Sequence, residues 1–374
     1  MIYLDYSATT PINEKVLDTF NFVSKNFIGN SNSSHTLGKK SKDLIDKSTA
    51  KIAEILNVKS EEIIYTSGST ESNNLALKGI AFKHYQKGKH IITSKLEHSS
   101  IIGPLSYLER QGFEIDFVNL TAEGLIDVDH LKNLLRTDTI LVTFTAVDSE
   151  LGIRQPIEEI GKLLKDNYHC FFHVDMTQCV GKSEIDLTNV DLASFSSHKI
   201  YGIRGIGGLI KKEDILIEPM ILGGKSTSLF RSGTPSQELI CSFAKALELV
   251  NTNFSDKVSL VDKHNERLRI FLSKFSQIVI NSTSKSVSHV LNFSTLGIDS
   301  EKILQALSEK NIFISTKSAC SSDNPQSLSV LNLTKDEERA STSIRVSLSH
   351  LTTEQELDIF EKEFTSIYQE LGGK

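Results

Sequence analysis

Short apolar runs recur along this chain at intervals that often leave room for a helix, and this alternation is its most restrictive feature. Seven runs have the composition of strands: EIIYTS (62–67), HIITSK (90–95), FEIDFVN (113–119), TILVTF (139–144), CFFHVD (170–175), LASFS (192–196) and GIGGLIKK (205–212). Stretches of helical period lie between them, such as 71–86 and 157–167. Strands alternating with helices build βαβ units, and hence a mostly parallel sheet covered on both faces. The expectation is an α/β fold whose large domain is built on a mostly parallel seven-stranded sheet. In open sheets of this kind ligands sit at the carboxyl ends of the strands. The residues that follow each run are therefore where chemistry is to be sought.

A long helical pattern over 236–275 leads into a second region. There HVLNFS (289–294), IFIST (312–316) and SIRVSLS (343–349) read as strands, 300–310 and 353–371 as helices, and the serine-rich 281–288 as a loop. The first residues read as a short strand running into a turn at Thr10-Pro11. The expected division is an N-terminal segment, 1–14, packing with the small domain; a large domain, 15–250; and a smaller α+β domain, 251–374, carrying the loop around Cys320.

With 374 residues, 39% hydrophobic and 24% charged, the chain has the balance of a folded soluble protein. A net charge of −6 leaves no basic footprint for DNA or RNA, so stable nucleic-acid binding is not expected. No stretch approaches the ~18 apolar residues of a membrane span, and the start lacks the basic-then-apolar pattern of a secretory signal. The cysteines are Cys170, Cys179, Cys241 and Cys320, and no two form a C-x-x-C pair, so neither a metal knuckle nor a disulfide framework is expected. This usage is that of the reducing cytosol, which makes a cytoplasmic location the expectation.

Taken in order, the strand ends carry a constellation. After 62–67 comes Gly68-Ser69-Thr70-Glu71, a glycine turn opening a helix, which offers free N–H groups and a positive dipole end to an anion. A plain helix cap accounts for the same residues. After 90–95 comes His98, and after 170–175 come Asp175 and Gln178. A carboxylate buried at a strand end needs a partner, and a protonated ring nitrogen would be one. After 192–196 come Ser196, His198 and Lys199, the lysine standing between an apolar strand and a glycine-rich turn. An anion cup, a carboxylate, a flat aromatic base and a lysine are the set that holds pyridoxal 5'-phosphate.

The motifs that carry these residues resemble those of the NifS-like cysteine desulfurases, within the class V aminotransferase-like enzymes that use pyridoxal phosphate. The matching stretches are YLDYSATTP (3–11), TSGSTESNNLALKG (66–79), HIITSKLEH (90–98), HVDMTQCVGK (173–182), SFSSHKIYGIRGIGGL (194–209), RSGT (231–234), SAC (318–320) and SIRVSL (343–348). They follow the family's order and span nearly the whole chain.

The resemblance implies the type I fold of pyridoxal-phosphate-dependent transferases, and it implies roles. Lys199 would hold the cofactor as a Schiff base, His98 would stack on its ring and move protons, Asp175 would pair with the ring nitrogen, and Gln178 would bond the ring hydroxyl. Ser69, Thr70, Ser196 and His198 would hold the phosphate, with Thr234 reaching it from the other subunit of a homodimer. Arg345 would bind the carboxylate of L-cysteine, a task suited to its bidentate fork. Cys320, in a loop of Ser, Asp, Asn and Pro, would take the sulfur as a persulfide, leaving alanine, and pass it to an acceptor protein in iron–sulfur assembly or tRNA thiolation. A selenocysteine lyase, another C–S lyase, or a non-catalytic binding subunit on the same fold are the alternatives. Cys170, Cys179 and Cys241 read as small buried hydrophobes.

The chain departs from the family pattern at the substrate rim. Asp148-Ser149-Glu150 stands where the family has NNE, putting a shorter side chain, Ser149, where an asparagine touches cofactor and substrate. Lys317 replaces a glycine beside Cys320, and 223–234 loses Gln, Glu and Gly.

Overall fold

The computed structural model describes residues 1–224, 226–316 and 326–373. Each of the seven apolar runs contains a strand of one sheet. Its order is Ile63–Thr66, Gly207–Lys211, Leu192–Ser196, Phe171–Asp175, Thr139–Thr145, His90–Thr93 and Glu114–Phe117. Gly207–Lys211 runs antiparallel to both its neighbours and the other pairings are parallel, so the α/β fold expected from the sequence is the one observed. The exception has a cause in chain length. A parallel return takes a crossover of about a dozen residues or more, and 197–206 is too short for one. That tight return is the segment that carries Lys199.

Thr139–Thr145 and Leu192–Ser196 are buried along their whole length because helices cover both faces of the sheet. On one face Ile92, Phe144, Phe172, Val174 and Phe195 pack with Phe243 and Leu247 of the helix Gln237–Asn251. On the other, Ile91, Leu141 and Leu209 pack with Leu75, Leu77 and Ile80 of the helix Ser69–His84. Each such side chain contributes roughly 1.5–3 kcal/mol by leaving water. At one edge Glu114–Phe117 is half exposed, and its Glu114 and Asp116 discourage a further strand from pairing there.

A second apolar cluster surrounds a three-stranded antiparallel sheet, Ser343–Ser347, Val290–Thr295 and Ile278–Ile280. The helices Phe254–Leu272 and Glu354–Glu370 cover it, clamped by Arg267, which reaches Glu354, Asp358 and Glu361. Ile2–Tyr3 pairs in parallel with Ile312–Phe313, and Leu4 joins this second core. The chain then crosses to the large sheet. The Ser7 amide donates to Ser347 Oγ at 2.9 Å, and the Thr10 amide to the His198 carbonyl at 2.9 Å.

The helical pattern over 236–275 divides into Gln237–Asn251 and Phe254–Leu272, broken at Asn253, whose φ of 52° cannot continue a helix. The strand read over 312–316 covers only Ile312–Phe313, although Ser315 still bridges to Arg345.

Candidate active site

At the carboxyl end of Ile63–Thr66 the chain turns at Gly68, whose φ of 155° is open to glycine and costly for other residues. Gly207, on the adjacent strand, packs against this turn: a Cβ there would lie 2.6 Å from the Phe195 carbonyl oxygen and 2.7 Å from Gly68 Cα. The close approach sets the N-terminus of the helix Ser69–His84 against a hollow of about 160 Å³, which Ser69 and Thr70 line. Ser196 is buried beside Gly68, at the end of its strand.

Lys199 enters the hollow from the tight return after Leu192–Ser196. Its Nζ donates to the carbonyls of Ser7 at 2.6 Å and Ala8 at 2.8 Å. Two residues on, Tyr201 sits at φ 63°, a strained conformation for so large a residue. Thr10 Oγ1 accepts its amide at 2.7 Å and Ser349 Oγ meets its hydroxyl at 2.6 Å, which together hold it there.

Asp175 ends the central strand Phe171–Asp175 and is buried. Its Oδ2 accepts from Asn73 Nδ2 at 2.8 Å and its Oδ1 from the Thr177 amide at 2.9 Å. Asn73 also donates to Ser100 Oγ at 2.8 Å, and Ser100 Oγ lies 2.8 Å from His98 Nδ1. The Ser100 backbone amide, which can only donate, reaches the same Nδ1 at 3.1 Å. Nδ1 is therefore the acceptor, and the neutral ring carries its proton on Nε2. Burial pushes the His98 imidazole below the usual histidine value, against the opposing pull of the Asp175 carboxylate. The same effect, reinforced by Lys199, brings His198 down to about 4. Its Nδ1 meets Thr9 Oγ1 at 3.2 Å.

Gln178 lines the hollow with both ends of its amide engaged: Nε2 donates to the Ser7 carbonyl at 2.8 Å, and Oε1 accepts from Lys182. Lys182 is buried, and the cost of charging it there brings its amine down to about 7. Arg345, on Ser343–Ser347, reaches the hollow from the second core. It donates to the Ser149 carbonyl at 3.0 Å and to Asp5 Oδ1 at 2.7 Å.

The hollow thus brings together Ser69, Thr70, His98, Ser149, Asp175, Gln178, His198, Lys199 and Arg345. Thr234 lies elsewhere, in a separate surface pocket with Arg231 and Gly233. Cys320 and Lys317 fall outside the described residues. Asp148 adds no charge to the wall of the hollow. It is buried, accepts from the Glu150 and Leu151 amides and from Ser329 Oγ, and burial brings its carboxyl up to about 6. Cys179 and Cys241 are buried as expected, but Cys170 is only half-buried, at the opposite end of its strand, where it lines an open cleft.

Sequence reasoning did not single out Asn73, Asp5, Lys182 or the Ser7 and Ala8 carbonyls. Asn73, Asp5 and Lys182 lie inside the motifs quoted above, which is the one signal they give; the carbonyls give none.

Residues 2–360 match the aminotransferase class-V family, and the chain belongs to it. Among its relatives is the cysteine desulfurase IscS of Dictyoglomus turgidum, 38% identical over 96% of this chain and 92% of that protein. A solved structure of a NifS-like protein superposes with a TM-score of 0.94 at 30% identity, covering 99% of this chain and 100% of that one. SspA, solved in complex with cysteine, gives a TM-score of 0.83 at 30% identity, covering 94% and 100%.

Enzymes of this family use pyridoxal 5'-phosphate, and the residues present fit it. The hollow offers a lysine amine, a buried carboxylate and a helix N-terminus. Thr177 Oγ1, Ser7 Oγ and Arg345 Nε, on residues that line it, are buried with no hydrogen-bond partner among the described residues. Buried polar atoms of this kind are ordinarily satisfied, so a polar occupant suits the site. Among the described residues no helix is long and apolar enough to cross a membrane.

Proposed function

We infer that the chain is a pyridoxal 5'-phosphate-dependent cysteine desulfurase, which takes the sulfur of L-cysteine and leaves L-alanine. The observation that carries this is the convergence of Lys199, Asp175, His98 and Arg345 on one hollow from both apolar cores of the molecule.

The cofactor, when bound, supplies an electron sink for the substrate's α-carbon. Lys199 would hold it through the amine, the first turn of Ser69–His84 with His198 would receive its phosphate, and Asp175 would neutralise a protonated ring nitrogen. His98, neutral and protonated on Nε2 because Ser100 occupies Nδ1, would move protons at that nitrogen. Arg345 anchors the substrate carboxylate. Cys320 then attacks the substrate sulfur as a thiolate: a sulfur–sulfur bond forms as the carbon–sulfur bond breaks, and the carbon is protonated. One cysteine and one thiol become one alanine and one persulfide, so atoms and electrons balance.

Two further elements belong to this reading. The persulfide on Cys320 is passed to an acceptor protein of iron–sulfur assembly or tRNA thiolation. The enzyme is a homodimer, supported by Thr234 lying away from its own chain's hollow and by the exposed Ile221, Leu222 and Leu229 near it in sequence.

The test is Cys320→Ala beside wild type, with alanine and protein-bound persulfide both measured. Alanine formation should fall by about two orders of magnitude or more and the persulfide should disappear. A variant that produces alanine and free sulfide at the wild-type rate would overturn the reading in favour of a lyase.

A further inference from the structure

Arg345 is almost wholly buried, with 1% of its side chain exposed, and Asp5 retains 20%. A guanidinium so deep needs a counter-charge, and Asp5 supplies it at 2.7 Å, through Nη2. Nη1 is held by the Ser149 carbonyl at 3.0 Å, while Nε is buried without a partner among the described residues. Asp5 is itself fixed, because its backbone bridges to Ser347, two positions along the strand from Arg345. Any carboxylate that reaches Arg345 from the hollow therefore meets a cation that already has an anion at its side.

We propose that Asp5 is a positioning residue that sets the grip of Arg345 on the carboxylate of the substrate and of the product. It holds the guanidinium in one orientation with Nε left open, and as a resident competing anion it weakens the hold on the incoming carboxylate. Product alanine, which carries the same carboxylate, is released more readily for that reason. The inference rests on the reading of Arg345 as the carboxylate anchor.

The experiment titrates the holoenzyme with L-alanine and with L-alaninamide, which lacks the carboxylate charge, and follows the cofactor absorbance. Asp5→Asn keeps an acceptor of the same shape and removes the charge. It should tighten L-alanine by about five-fold, the scale of one partly buried charge pair, and leave L-alaninamide within about two-fold. The KM for L-cysteine should fall with it, and kcat should not rise. Asp5→Glu should restore the wild-type ratio of the two affinities. A merely structural role would move both ligands together. If Asp5→Asn does not fold, Asp5→Ser removes the same charge and carries the same expectation. Arg345→Gln separates the two levels. If it still prefers L-alanine to L-alaninamide as wild type does, the reading of Arg345 is wrong. If the preference is lost there while Asp5→Asn binds L-alanine no more tightly than wild type, the assignment of Asp5 alone is overturned.

Discussion

Asn73 Nδ2 and Asp175 Oδ2 lie 2.8 Å apart, which ties the second turn of one helix to the end of the central strand. The other hydrogen on the same nitrogen goes to Ser100 Oγ, next to His98 Nδ1. One amide thus fixes both the carboxylate and the imidazole of the candidate site. Asn73→Ala removes two donors from a dry interior and should cost about 1–3 kcal/mol. Denaturant unfolding should show this, and a cofactor titration should show weaker retention of pyridoxal phosphate. Unchanged stability and retention would mean that the bridge is incidental.

Burial lowers the pKa of His98, so the imidazole is neutral at pH 7 and remains so somewhat below the ordinary histidine value. The acid limb of kcat/KM should accordingly fall below about pH 6.5. His98→Ala should reduce kcat by about two to four orders of magnitude and remove that limb. An acid limb at the same pH in the variant would assign it to another group.

His289 is buried, and burial brings it down to about 3; His350 is brought down to about 4. The unfolded chain takes up these protons near pH 6.5, whereas the folded chain does not until near pH 4 or below. Their contribution to stability is therefore complete above about 6.5 and is lost as pH falls from there towards the folded values. Glu97 and Asp148, raised to about 8 and about 6 by burial, act in the opposite sense. A difference between variants isolates the histidine effect. Relative to wild type, His289→Leu should gain up to about 2 kcal/mol between pH 7 and pH 5, measured by unfolding at both values. A parallel loss of stability in the two proteins would refute this.

Ser149 lines the hollow and its carbonyl is held by Arg345, so its backbone is fixed from outside. Ser149→Asn adds a donor at the rim without moving the chain. It should raise kcat/KM for L-cysteine by roughly three- to ten-fold, the scale of one added hydrogen bond. Alanine formation under limiting cysteine is the measurement, and a fall would show that the rim is already matched to its substrate.

How much of this was legible depended on what kind of atom carries each role. Strand period and chain spacing exposed Asp175, His98 and Lys199, because their placement at strand ends follows from the βαβ pattern. The Ser7 and Ala8 carbonyls that hold Lys199 are backbone atoms and leave no mark in side-chain chemistry. Asn73 lies within a helix, where an asparagine reads as an exposed polar position until the helix is docked. Asp148 lies in the motif at the rim, but its loop folds back and engages the carboxylate with two amides and Ser329. Cys170 has apolar neighbours in sequence, but it lies just before its strand, at the end of the sheet where an open cleft lies. The helix Thr36–Leu56 was not singled out because its deeply buried apolar positions are few, Ile45, Ile52 and Ala53, among many lysines and serines.

The crossing segment near the start of the chain also dictates an order of events. Its residues 4–7 are made early, yet the partners that hold them, around Ser347, are separated from them by some 340 positions and are made late. Contacts of such long separation form slowly. Until they close, the carbonyls that steady Lys199 have no fixed place and Arg345 lacks Asp5 beside it, so an incomplete or half-collapsed chain carries the Lys199 amine without the contacts that hold it. The molecule gains its chemistry only when its two ends have met.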